Sequence, residues 1–109
     1  MPLVQRKEFG DKKRPLWVEV HTQLSVGQRK AIMRIAHDTD VQNDQLRIGD
    51  YQTKVIVLLC EAWNLPDPEK EGETLPKSEE GLDRALTKDN DALWKIVGAS
   101  VDEAAYPNA

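Results

Sequence analysis

Residues 51–63 constrain this chain more than any other stretch. Tyr51, Val55, Leu58, Leu59, Ala62 and Trp63 recur at intervals of three and four, and Ile56 and Val57 widen the apolar surface on either side. Such spacing lines one face of a helix. A helix that is apolar over more than half its circumference is either central to a core or touching something on a second side. Asp50, just after Gly49, is a candidate N-cap, and Pro66 and Pro68 forbid continuation. The sequence therefore predicts a helix over 51–63, broken at Trp63. A stiff acidic loop over 64–77 follows, with Glu69, Glu71 and Glu73 around Gly72. Loops longer than about 12 residues are uncommon in compact domains unless they serve a function. The tryptophan at the break and the charge beyond it both need a physical reason.

The remaining elements arrange themselves around this helix. Leu16, Val18 and Val20 alternate with Trp17, Glu19 and His21, the period-two pattern of a half-buried strand. Residues 3–9 form its expected hairpin partner, with Gly10-Asp11 in the turn. Ser25 and Gln28 have the spacing of a capping box. They open a helix over 26–37 with Ala31, Ile32, Ile35 and Ala36 on its apolar side and Arg29, Lys30 and Arg34 facing elsewhere. Ser78 is the expected cap of a short helix over 79–86. A last helix over 89–101 presents Leu93, Ile96, Val97 and Ser100. The expected fold class is mainly α (α+β): a small N-terminal β-hairpin or strand followed by three to four helices. Residues 1–15 are read as a basic arm or first hairpin strand, 16–101 as a single globular domain and 102–109 as a flexible tail.

The chain has 109 residues, enough for one modest core. Residues 1–37 hold eight Lys/Arg and three Asp/Glu, a net of +5; residues 38–109 hold seven and sixteen, a net of −9, giving −4 for the chain. Polarity of this kind steers association with a charged partner or with another copy of the same chain; the simpler alternative is two differently solvated surfaces. No apolar run approaches the roughly 18 residues of a membrane-spanning helix. The N-terminus reaches charge too early for a signal peptide, so a cytoplasmic protein is expected.

Sites of chemistry are hard to find. The lone cysteine, Cys60, sits in Val55-Ile56-Val57-Leu58-Leu59-Cys60 and reads as a small buried apolar residue. Asp38-Thr39-Asp40-Val41-Gln42-Asn43 resembles the start of a calcium loop. It lacks the turn glycine at the sixth place and has Gly49 where a bidentate glutamate is needed. His21 and His37 share no metal-site spacing. No GxSxG, HExxH or glycine-rich phosphate loop occurs. No catalytic residue, metal or cofactor is assigned, and the chain is read as a non-enzyme. The best nucleic-acid candidate is Arg6-Lys7 with Lys12-Lys13-Arg14, interleaved with Phe9 and Trp17. The acidic second half and a pI near 5.1 oppose phosphate binding.

The order of motifs carries a resemblance. A strand Trp17-Val18-Glu19-Val20 leads to a capped basic helix, Leu24-Ser25-Val26-Gly27-Gln28-Arg29-Lys30. An apolar helix ends in Ala62-Trp63-Asn64-Leu65. A loop with Gly72-Glu73-Thr74-Leu75-Pro76 precedes the helix Ser78-Glu79-Glu80-Gly81-Leu82, and Asp91-Ala92-Leu93-Trp94-Lys95-Ile96 closes the series. Over residues 16–97 this order resembles the small tail assembly chaperones of long-tailed bacteriophages. The insert Pro66-Asp67-Pro68-Glu69-Lys70-Glu71 is longer and more acidic than in that family.

The resemblance implies a factor of the infected host cytoplasm that binds helices of the tape-measure protein and keeps them soluble during tail assembly. The expected binding mode is a groove between the second and last helices that accepts a partner helix. Val57, Leu65, Trp94 and Val101 line it, Trp63 stands at its end, and the acidic loop serves as rim. Trp63 has a competing reading as a core anchor. The alternative function is a structural virion component, a tail or neck/connector protein that assembles as an oligomer. The partners expected are tape-measure or other tail proteins or a second copy of the chain, not a membrane or nucleic acid.

Overall fold

The computed structural model describes residues 4–39 and 45–105. Strand β1 (Val4–Phe9) and strand β2 (Leu16–His21) form an antiparallel hairpin in which Phe9 faces Leu16 and Val4 faces His21. Gly10, at φ 84°, begins the connection, a backbone state that glycine adopts without Cβ strain. Val18 and Val20 are buried, as the alternation requires.

Helix α1 (Val26–Thr39) starts at the expected capping box. The Gln28 amide donates to Ser25 Oγ at 3.1 Å, and the Ser25 amide donates to Gln28 Oε1 at 2.8 Å. Ile32 is buried, Ala31, Ile35 and Ala36 are partly so, and Arg29, Lys30 and Arg34 are exposed. Helix α2 (Gln45–Leu59) packs against α1. It begins earlier than expected: Gly49 and Asp50 lie within the helix, so Asp50 is not its cap. Residues 40–44, which hold most of the weak calcium pattern, lie outside the described residues.

The main correction concerns the end of α2. A mainly α chain with a small hairpin was expected. The structure is α+β with a three-stranded antiparallel sheet in the order β1-β2-β3 and four helices among the described residues. The third strand, β3 (Cys60–Trp63), is made from residues read as the last turn of the helix. It pairs with β2 through Val18–Trp63, Glu19–Ala62 and Val20–Cys60, with a register shift between Glu19 and Val20. In a regular strand, residues 60 and 63 would point to opposite faces. The bulge places one extra residue on β3, so Cys60 and Trp63 are both buried while Glu61 is exposed. An interval of three thus fits either a helix or a bulged strand.

Beyond β3, helix α3 (Glu79–Asp83) is capped by Ser78, whose Oγ accepts from the Gly81 amide at 3.0 Å. It is shorter than expected. Gly81 is there for space: a Cβ on it would stand 2.1 Å from the Pro76 carbonyl oxygen. Helix α4 (Thr87–Ala105) runs past Val101, and residues 106–109 lie outside the description. Val18 and Val20 of the sheet, Ile32 of α1, Val55, Ile56 and Leu59 of α2, and Leu93 and Val97 of α4 form one buried cluster.

Candidate functional site

Trp63 closes the sheet and opens the loop. Its indole is only 6% exposed, and its Nε1–H donates to the Leu75 carbonyl at 2.9 Å. Asn64 extends the sheet by one step. Its amide donates to the Trp17 carbonyl at 3.2 Å, and its Oδ1 accepts from the Trp17 amide at 2.6 Å. Leu65 and Leu75 then bury themselves side by side, joined by a Leu75 amide to Leu65 carbonyl bond of 2.8 Å. The Trp63 break is therefore an inward anchor: both ends of the loop are fastened to the core by an indole and two leucines.

Between those anchors the loop is ordered by its own backbone. Pro66 and Thr74 form a bridge, and the Asp67 amide donates to the Glu73 carbonyl at 2.9 Å. Gly72, at φ 82°, makes the return turn. Asp67 is buried. Its Oδ1 accepts from the Glu69 amide at 2.9 Å, and its Oδ2 lies 3.3 Å from the Arg84 guanidinium. Glu69, Glu71 and Glu73 are exposed. This segment is a preorganised acidic hairpin.

The five residues assigned to a partner groove separate into two groups. Trp63 and Leu65 belong to the core, Leu65 with no exposed surface at all. They are corrected from groove to core because the bulged strand and the loop bridge turn both inward. Val57, Trp94 and Val101 are only partly covered. Trp94 and Val101 stand seven residues apart and share a face of α4; Tyr51 and Leu58, both partly covered, stand in the same relation on α2. Tyr51 and Trp94 meet edge to face with ring centroids 6.1 Å apart, which joins the two faces into one seam. Val57 is turned about 100° from Leu58 and does not share that seam. Tyr51 and Leu58 appeared in the sequence as members of the apolar stripe; the pairing of Tyr51 with Trp94 is purely tertiary.

The Cys60 thiol is buried, and burial pushes its pKa from 9.0 up to about 12, against a smaller opposing effect of Lys77. The Lys77 ammonium donates to the Cys60 carbonyl at 3.0 Å. A thiol kept protonated in this way is a packing residue. On the hairpin, strand alternation sends Arg6 and Lys7 to opposite faces. Arg6 lies 4.0 Å over the Trp17 ring and 2.7 Å from Glu19, so the basic residues do not make one continuous stripe. Among the described residues, no three His, Cys, Asp or Glu side chains converge on a possible metal position, and no helix is long and apolar enough to cross a membrane.

No family model matches the chain, no curated protein matches its sequence, and no solved structure matches its fold.

Proposed function

We propose that this chain is a protein-binding factor of the tail assembly chaperone type, acting in the cytoplasm of a phage-infected cell. It covers an apolar helical face of the tape-measure protein until tube subunits take over that role. The observation that carries the reading is the Tyr51–Trp94 seam, where aromatic and aliphatic side chains of α2 and α4 stay partly open. The motif order over residues 16–97 supports it from the sequence side. A partner helix with apolar residues at i, i+3, i+4 and i+7 matches a two-helix seam of this kind, and tryptophan is the residue most enriched at such anchors.

Reversible apolar coverage needs no catalytic group. The partner gains by removing apolar surface from water, at about 25 cal/mol per Å², and loses that gain when a competing surface offers more. The test is sedimentation of purified tape-measure fragments with and without the protein. Fragments should stay in the supernatant with it and pellet without it, and Trp94→Ala should abolish the rescue. Equal pelleting in both tubes sinks the proposal.

The charge split favours a second reading, a stoichiometric tail or neck component. Mass spectrometry of purified particles separates the two: a chaperone is absent from finished virions, and a structural part is present at fixed copy number.

A further inference from the structure

Among the described residues the large apolar side chains most open to water are Val26, Met33 and Leu86. Val26 and Met33 are 69% and 65% exposed on α1. They stand seven residues apart on one face, about 10 Å along the axis. Arg29, Lys30 and Arg34 are exposed beside them, and none is paired with a carboxylate among the described residues. The outer face of α1 thus sets Val26 and Met33 beside Lys30 and His37, with Arg29 and Arg34 to either side.

The complementary surface is in the same chain. The acidic hairpin presents Glu69, Glu71 and Glu73 around a single exposed lysine, Lys70, and among the described residues only Glu69 of the three glutamates is ion-paired, with Arg84 at 3.8 Å. Pro66, at the base of that hairpin, also lines a cleft of about 480 Å³ floored by Phe9, Leu16, Leu86 and Ala92. The cleft's own rim is charge-balanced, with Asp11 and Asp89 against Arg14 and Lys88, so the acidic potential comes from the hairpin. Because the hairpin is held by its own hydrogen bonds and by buried Asp67, docking on it forfeits little conformational freedom.

We infer that copies of this chain associate with one another, α1 of one copy seating Val26 and Met33 in the cleft beside Leu86 of the next while Arg29, Lys30 and Arg34 meet Glu69, Glu71 and Glu73. Contact between two different patches is heterologous, and it builds a ring or a filament according to whether the rotation closes. A second copy is the occupant favoured by charge. The body of the chain outside residues 1–37 carries −9 and repels an anionic membrane or a nucleic acid that would otherwise suit a basic amphipathic helix. The same charge attracts the +5 segment of a neighbour. This surface is separate from the α2–α4 seam, so the inference stands or falls apart from the chaperone reading.

Sedimentation velocity on the full chain tests it, with circular dichroism as the check that each variant is folded. Wild type should form a concentration-dependent oligomer whose association weakens about tenfold or more as salt rises from about 0.05 to about 0.5 M. Met33→Glu should weaken it comparably. The charge reversals R29E/K30E/R34E and E69K/E71K/E73K should each sediment as monomers, and mixing the two should restore a common complex. A wild type that is monomeric at low salt overturns the inference. So does an oligomer that survives either reversal, or a mixture that stays monomeric. Flotation of monomers with phosphatidylserine vesicles in an α1-dependent way also overturns it, by assigning that face to lipid.

Discussion

Trp63 shows how one side chain can settle a topology. It supplies apolar bulk to the core and a donor to the loop, and both depend on the indole. Trp63→Phe should lose part of that bulk and strand the buried Leu75 carbonyl, costing about 2–4 kcal/mol in urea unfolding. Gly81 is a steric requirement. With the Pro76 carbonyl at 2.1 Å from any added Cβ, Gly81→Ala must push α3 off the loop, and we expect a loss of roughly 1–3 kcal/mol in the same assay. Cys60 gives a pH prediction. Its thiol ionises at about 12 in the folded chain against an ordinary 9.0. The unfolded state therefore releases its proton first as pH rises, and the thiol's contribution, complete below pH 9.0, is lost between 9.0 and about 12. Across that window wild type should lose up to about 1.4 kcal/mol per pH unit more than Cys60→Ala, measured by denaturant unfolding of both proteins in parallel.

At the level of elements, the loop and the bulged strand form one device. The strand leaves the core at Trp63, and the acidic hairpin returns to it at Leu75. Arg84, only partly exposed, balances the buried carboxylate of Asp67 from the far side. Arg84→Ala should leave that carboxylate short of a partner. Because Arg84 is about one-third exposed and water screens the pair, the cost should be modest, about 1–2 kcal/mol. Hydrogen exchange should locate it: amides of Asp67, Glu73 and Leu75 should exchange faster while those of α1 are unchanged. Uniform acceleration across the chain would mean that the loop has no separate stability of its own. The capping box at Ser25–Gln28, the Ser78 cap and the strand alternation of this chain were legible because they are local. Ser25–Gln28 and Ser78–Gly81 need only three residues of spacing, and Val18 and Val20 need only period two. The helix-to-strand switch at Cys60 was not legible, because an apolar interval of three suits both a helix and a bulge.

For the molecule as a whole, of the two readings of the broad apolar helix, core or second-side contact, the fold takes mostly the first: Val55, Ile56, Leu59 and Leu65 have no exposed surface. Partly open apolar surface remains on the α2–α4 seam, Leu58 included, and on the outer face of α1. The two surfaces should respond independently. Trp94→Ala should remove helix binding without changing the sedimentation of the free chain, and Met33→Glu should do the reverse; additive behaviour of the double variant is the check. The amino-acid order by itself determined the capped starts of α1 and α3, the alternating strand β2, the apolar identity of α2 and the opposed charges of the two halves, since each rests on neighbours within a turn or a strand pair. Only the tertiary structure decided that Cys60–Trp63 is a strand, that Trp63 and Leu65 are core, and that Tyr51 meets Trp94. Those outcomes depend on which distant segment, β2, Leu75 or α4, competes successfully for an apolar surface that local spacing leaves free to go either way.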